Sequence, residues 1–288
     1  MKAIDVHCHI PTNIGMKPFE PYNKAMADYY KYDYEKMILT EEEFATVVEA
    51  ADVKSILMAV DAETATGLER IPNDYVMDLV RKFPKSFIGG FASVDPWKGR
   101  AALQKIERAV KDLGMMGVKF HPPLQQFYTN DRRFYPIYEL CSHLGVPVQF
   151  HTGTTGVGIK MRDSGIHLKY GQPLHLDDVA ADFPDLTIIA SHPSWPWQDE
   201  MLMILLHKEN VFNELSGWSP KHFPPALKKE INGRLQDKFL FGSDYPAFQF
   251  GPLFEAWEAE GFKPEVMEKV FIKNAENILE IRINDQPE

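Results

Sequence analysis

Short apolar or β-branched runs alternate with amphipathic stretches along the whole chain. The runs Ala3–His9, Ser55–Val60, Phe87–Val94, Met116–His121, Val146–His151, Leu186–His192, Val211–Ser216 and Phe239–Asp244 have the length and composition of buried strands. Between them the apolar spacing changes to that of helices. Thr40-Glu41-Glu42-Glu43 is a capping box, in which hydroxyl and carboxylate each satisfy one free backbone N–H, and it opens a helix to about Ala51. Asn73–Phe83 follows Pro72 and stops at Pro84. Leu103, Ile106, Val110 and Leu113 recur one turn apart, and Gly114 supplies the C-cap. Phe134–Leu144 ends at Gly145 and Leu176–Phe183 at Pro184; Trp197–His207, Pro220–Arg234 and Pro264–Leu279 complete the series.

About eight strand–helix units result, the number that closes a parallel ring, so the pattern predicts an α/β chain folded as a single (β/α)8 TIM barrel domain over residues 1–288. A doubly wound open sheet has the same alternation, but no Gly-x-Gly-x-x-Gly follows the first strand. Residues 10–39 interrupt the pattern. They are long for a loop of a βα unit and carry Tyr22, Tyr29, Tyr30, Tyr32 and Tyr34, and aromatic content of this kind argues for packing as a lid insertion over the barrel mouth.

Composition narrows the setting. With 44% hydrophobic and 25% charged residues the chain is that of a soluble globular protein, and no run reaches the roughly 18 apolar residues of a membrane span. The chain opens directly on a strand-like run, and Cys8 and Cys141 cannot build a disulfide framework, so a cytoplasmic setting without membrane partners is expected. A formal net charge of −10 argues against nucleic acid as a partner. It leaves a small anionic substrate open, because a bound metal is a local positive charge whatever the total.

The polar residues that matter sit at the C-terminal ends of the predicted strands, where barrel enzymes place their chemistry. His7 and His9, at i and i+2, share one face of the first strand. The fourth strand carries Lys119 and His121, the fifth ends in His151, the sixth in His192, the seventh in Glu214 and Ser216, and the eighth in Asp244. Two or three imidazoles with a carboxylate suit a divalent transition metal such as zinc, and a further His or Asp then moves protons. Trp195, beside Trp197, would wall a pocket for a planar substrate, and Arg162 would clamp a carboxylate through its planar fork. His167, His175, His207 and His222 fall in loops or helices and read as non-ligands.

The set His7-x-His9, Gly117-Val118-Lys119-Phe120-His121-Pro122, Phe150-His151-Thr152-Gly153, Ser191-His192-Pro193 and Phe241-Gly242-Ser243-Asp244-Tyr245-Pro246 resembles the amidohydrolase superfamily. More narrowly it resembles the amidohydrolase-2 branch, which includes the aminocarboxymuconate-semialdehyde decarboxylase-like enzymes. The resemblance implies a distorted barrel and one divalent metal, zinc or manganese, held by His7, His9, His151 and Asp244. It implies His192 as the residue that orients or deprotonates metal-bound water, with Asp244 sharing the proton transfer. Lys119 is expected to bind an anionic substrate group; carbamylated instead, it would bridge a second metal. Homodimers are common in the branch.

The expected function is therefore a metal-dependent hydrolase or decarboxylase of a small carboxylated, possibly aromatic compound, with His192 and Asp244 as its catalytic residues. Two other readings compete: a barrel that has lost catalysis and serves as a binding or scaffold protein, and a metal-independent lactonase. The full set of His and Asp residues weighs against both.

Overall fold

Each predicted apolar run forms a strand, all neighbours pair in parallel, and spatial order follows chain order. The computed structural model describes residues 1–281. The strands are β1 (Ala3–His9), β2 (Val53–Met58), β3 (Phe87–Ser93), β4 (Gly117–Phe120), β5 (Val148–His151), β6 (Ile188–Ser191), β7 (Val211–Glu214) and β8 (Phe239–Leu240). Helices lie between them, giving the expected (β/α)8 barrel. β8 pairs with β7 over two residues, and the chain beyond it then turns to β1. Val6 N–H donates to the Phe241 carbonyl at 3.0 Å, Asp244 N–H to His7 at 2.9 Å and His9 N–H to Tyr245 at 2.9 Å, and these bonds close the ring.

Ile4, Val6, Ile56, Met58, Phe91, Ile189 and Leu240 form one buried cluster. Residues from β1, β2, β3, β6 and β8 meet only inside a ring, so this cluster fills the barrel interior below the mouth. A register irregularity between Asp5 and Cys8 re-aims β1. Cys8 joins the outer core, and His7 turns to the same inner side as His9. The helices Glu41–Ala50, Asn73–Lys82, Arg100–Lys111, Tyr135–Leu144, His175–Asp182 and Gln198–His207 match expectation within a few residues. The Thr40–Glu43 capping box forms on both sides, with bonds of 2.8 and 3.2 Å.

Three stretches differ from expectation. Pro220–Arg234 is a 3-10 turn, Pro220–His222, and a separate helix, Pro225–Ile231, because a residue before proline is driven out of helical geometry and Phe223-Pro224-Pro225 applies this twice. Pro264–Leu279 contains a π-helical turn at Lys269–Lys273. An unanticipated helix, Phe250–Glu258, buries Phe250, Leu253, Phe254 and Trp257 at helical spacing; Gly251-Pro252 masks it in the sequence, yet proline is harmless in a first turn.

Residues 10–39 also hold a helix, Glu20–Tyr30, rather than loop alone. Its Tyr22 hydroxyl donates to the Ser164 carbonyl at 3.1 Å, in the loop after β5, so the segment lies against loops on the C-terminal side of the barrel. No helix among the described residues is long and apolar enough to cross a membrane.

The seam between β1 and the segment after β8 is tied by Asp5, which is fully buried. Its Oδ1 accepts the N–H groups of His7 at 3.1 Å and Ser243 at 2.8 Å, and its Oδ2 accepts the hydroxyls of Ser243 at 2.6 Å and Ser55 at 3.3 Å. Asp5→Ala leaves these donors unpaired where water cannot reach them. It should destabilise the fold by about 3 kcal/mol, the loss expected for buried bonds to a charged acceptor. Urea unfolding measures this, and an unchanged midpoint would remove Asp5 as the seam's anchor.

Candidate active site

The site grows from β1. His7 and His9 leave its end on one side, and the Asp244 N–H bond to the His7 carbonyl carries the Asp244 carboxylate to the same place. His7 Nε2 and His9 Nε2 lie 3.3 Å apart, and Asp244 Oδ1 lies 3.2 Å from His9 Nε2 and 3.7 Å from His7 Nε2. Ligands about 2.05 Å from a tetrahedral ion are separated by about 3.4 Å, so these donors are spaced as one coordination face. The residues fit a divalent metal.

The far side of His7 is fixed by β7. Its Nδ1 is 2.7 Å from Glu214 Oε2, and a carboxylate only accepts, so Nδ1 carries the proton and Nε2 presents a bare lone pair. Glu214 Oε1 accepts the Ser216 N–H, and both residues are buried. A carboxylate behind a ligating imidazole orients the ring and raises its basicity. The sequence placed Glu214 at the right strand end but gave no sign of this pairing.

His192 follows β6 in left-handed backbone, φ +71°, and Asp244 is also left-handed, φ +56°. His192 Nδ1 donates to the Ser216 carbonyl at 3.0 Å, which leaves its Nε2 free as an acceptor. Its ring contacts both His7, at 4.9 Å between centroids, and His151, at 4.7 Å. His151 stacks flat on His121 at 4.0 Å and turns its Nε2 to the Thr154 carbonyl at 3.1 Å. The structure thus groups His7, His9 and Asp244 by their ligand atoms; His151 packs against the His192 ring, but its Nε2 donates to the Thr154 carbonyl and is not among the grouped ligand atoms.

The remaining sequence-selected residues separate clearly. Lys119 is buried in the barrel, its Nζ 2.5 Å from Ser191 Oγ. Trp195 is half exposed and leans toward Trp218 across 6.1 Å, on the lip formed by the loops after β6 and β7. Arg162 is 96% exposed, with Asp163 as its neighbouring carboxylate, and is not brought into the cluster.

Burial governs the electrostatics. It lowers the pKa of His192 to about 4 and those of His7, His121 and His151 well below the ordinary value, so these rings are neutral and fit to ligate or accept. Burial alone would raise the Asp244 pKa, but the hydrogen bond from His9 and the fields of His192, His7 and His9 hold its carboxyl well below the usual range. Burial lowers Lys119 to about 8 against the pull of Glu214 and Asp244.

A family described as amidohydrolase matches residues 4–281. The chain belongs to the amidohydrolase family. This amidohydrolase is 28% identical over 89 residues to 2-amino-3-carboxymuconate-6-semialdehyde decarboxylase of Dictyostelium discoideum, a stretch covering 31% of this chain and 24% of that protein. Its fold matches an uncharacterised TIM-barrel protein of Bordetella bronchiseptica with a TM-score of 0.80 and 25% identity, covering 97% of this chain and 99% of that one. It also matches a dihydroxybenzoic acid decarboxylase of a Polaromonas species, solved with manganese and 2-nitroresorcinol, with a TM-score of 0.72, 19% identity and 96% of each chain covered. A 5-carboxyvanillate decarboxylase of Sphingomonas paucimobilis matches with a TM-score of 0.69, 19% identity, and 98% and 99% coverage. At 19% identity the likeness to the last two is one of fold.

Glu214→Gln in this amidohydrolase keeps the shape behind His7 and removes the charge. Metal affinity should fall by about 10- to 100-fold, the usual worth of a carboxylate behind a ligating imidazole. Competition with a chromogenic chelator measures it, and unchanged affinity would separate Glu214 from the metal site.

Proposed function

We propose that this amidohydrolase is a metal-dependent decarboxylase of small carboxylated aromatic compounds. The observation that carries the reading is the convergence of His7 Nε2, His9 Nε2 and Asp244 Oδ1 in one barrel mouth with the buried ammonium of Lys119. A metal site beside a fixed cation selects an anionic substrate, and three of the similar proteins are named as decarboxylases of carboxylated compounds.

His7, His9 and Asp244 hold the metal; the family resemblance implies His151 as a fourth ligand, which requires its Nε2 to leave the Thr154 carbonyl. Zinc suits the two imidazoles and the carboxylate; the Polaromonas decarboxylase was solved with manganese, which is the second metal to test. The bound ion supplies Lewis-acid polarisation of a substrate oxygen. Lys119 receives an anionic group of the substrate, and Trp195 with Trp218 flanks a planar ring. The helix Glu20–Tyr30 and its neighbours in residues 10–39 cover part of the mouth as a lid.

Decarboxylation needs a proton at the ring carbon that bears the carboxylate, after which the carbon–carbon bond breaks and CO2 leaves. In the resting site Asp244 is ionised and His192 is neutral with Nε2 free, so both are acceptors. The proton they hand to the ring carbon therefore enters with the substrate's acidic hydroxyl or from water. Gly217 leaves room for both groups to sit where they do: a Cβ there would stand 2.6 Å from His192 Nδ1 and 3.2 Å from Asp244 Oδ2.

The test is a panel of hydroxybenzoates and related acids, with CO2 release and hydrolysis followed separately. CO2 release that stops on metal stripping and returns with zinc or manganese is the expected result. His192→Ala should keep its metal and lose about two to four orders of magnitude in rate, as for removal of an acid–base group. Asp244→Asn should lose metal and activity together. Hydrolysis without CO2 release, or full activity in metal-free protein, would overturn the reading.

A further inference from the structure

Lys119 reaches the barrel interior with a single hydrogen-bond partner among the described residues. Its Nζ donates to Ser191 Oγ at 2.5 Å; it forms no ion pair among the described residues, and the residue is 4% exposed. An ammonium has three N–H donors, so two are unused. The nearby carboxylates are engaged elsewhere, Glu214 by His7 and Ser216, and Asp244 by His9.

The same inward row supplies more unused polar groups. Ser93, Lys119 and Gln149 stand in register on β3, β4 and β5, and side chains at matched positions of adjacent strands share a face. Ser93 and Gln149 are fully buried, and Ser93 Oγ and Gln149 Oε1 have no hydrogen-bond partner among the described residues. Gln149 Nε2 lies 2.9 Å from the Ser191 Oγ that already accepts from Lys119. A hydroxyl also has a proton to give. With the Gln149 amide turned over, Ser191 accepts from Lys119 and donates to Gln149 Oε1, which frees the amide N–H groups.

The row then offers three groups with N–H or O–H protons to give: the Lys119 ammonium, the Ser93 hydroxyl and the Gln149 amide. Water would satisfy Ser93 and Gln149 but would leave the ammonium without a direct ion-pair partner, with Glu214 and Asp244 acting on it only through their fields. A carboxylate has two oxygens with about four acceptor sites and one negative charge, which matches both needs.

We infer that Ser93, Lys119 and Gln149 form the subsite for the carboxylate of an aromatic acid, with Ser191 as a positioning residue. This rests on the proposed decarboxylase reading for the substrate class, and its test is a binding measurement that needs no turnover.

The probes are salicylate and its neutral isostere salicylamide, titrated by calorimetry into the protein as purified, with metal content measured alongside. Wild type should bind salicylate at least ten-fold tighter than salicylamide. Gln149→Glu places a built-in carboxylate beside Lys119 and should weaken salicylate ten-fold or more, with salicylamide within two-fold of wild type. Lys119→Met should do the same, Ser93→Ala should weaken salicylate about three-fold, and metal content should stay constant in all three. If Lys119→Met fails to fold, the near-isosteric Gln149→Glu and Ser93→Ala decide the matter. The inference is overturned if wild type shows no preference, if the preference survives in Gln149→Glu, or if Lys119→Met loses metal, which would make Lys119 a ligand. A Lys119-dependent preference without CO2 release from any aromatic acid removes decarboxylation and keeps the subsite. CO2 release with the preference intact in Lys119→Met does the reverse.

Discussion

The carboxylate of Asp5 ties together the two ends of the sheet, and the geometry of the mouth depends on that tie. A barrel closed by a two-residue strand has little ladder at its seam. Four donors from β1, β2 and the segment after β8 converge on Asp5 instead. One residue pair beyond this tie, the backbone of His7 accepts from Asp244. The side chains proposed to face a metal therefore inherit their spacing from the seam, although they come from opposite ends of the chain. Burial pushes the Asp5 carboxyl up to about 6 even with its four donors, a sign of how dry this junction is.

A parallel strand buried on both faces has to be apolar nearly throughout, so a polar residue at its C-terminal end stands out against its own run. That contrast made His7, His9, Lys119, His151 and His192 visible in the sequence, and with them the fold and the family. Asp244 was visible for the same reason, although β8 itself ends at Leu240 and the chain from Phe241 onward belongs to the seam. Glu214 could be placed at a strand end, but its partnership with His7 spans 207 residues and has no local signature. The same limit applies to Ser93 and Gln149, which read as ordinary strand residues until β3, β4 and β5 are aligned.

Where the expectations departed from the structure, local cues pointed away from the tertiary outcome. The helix Glu20–Tyr30 buries only Tyr22 and Ala27, so it has no apolar stripe to announce it. Arg162 has the chemistry of a carboxylate clamp, but nothing in a loop sequence says which way a long side chain faces, and here it faces solvent. His151 ends its strand as expected, and what the sequence does not carry is the flat stacking on His121 and the Thr154 carbonyl that hold its ring.

The mouth concentrates both strain and charge. His192 and Asp244 hold left-handed backbone, which costs a residue with a Cβ about 1 kcal/mol or more and persists only where neighbours enforce it. Here the enforcing bonds are His192 N–H to the Glu214 carbonyl at 2.7 Å and Asp244 N–H to the His7 carbonyl at 2.9 Å, so β1 and β7 fix the two residues proposed to move protons. The charges follow the same economy of placement. Glu214 and Asp244 bring two negative charges, Lys119 one positive, and a divalent metal in the proposed site leaves the mouth with a surplus of one positive charge. A single substrate carboxylate cancels that surplus; a neutral ligand does not. In a chain with a net charge of −10, this local inversion of sign accounts for how an acidic protein would draw in an acidic substrate.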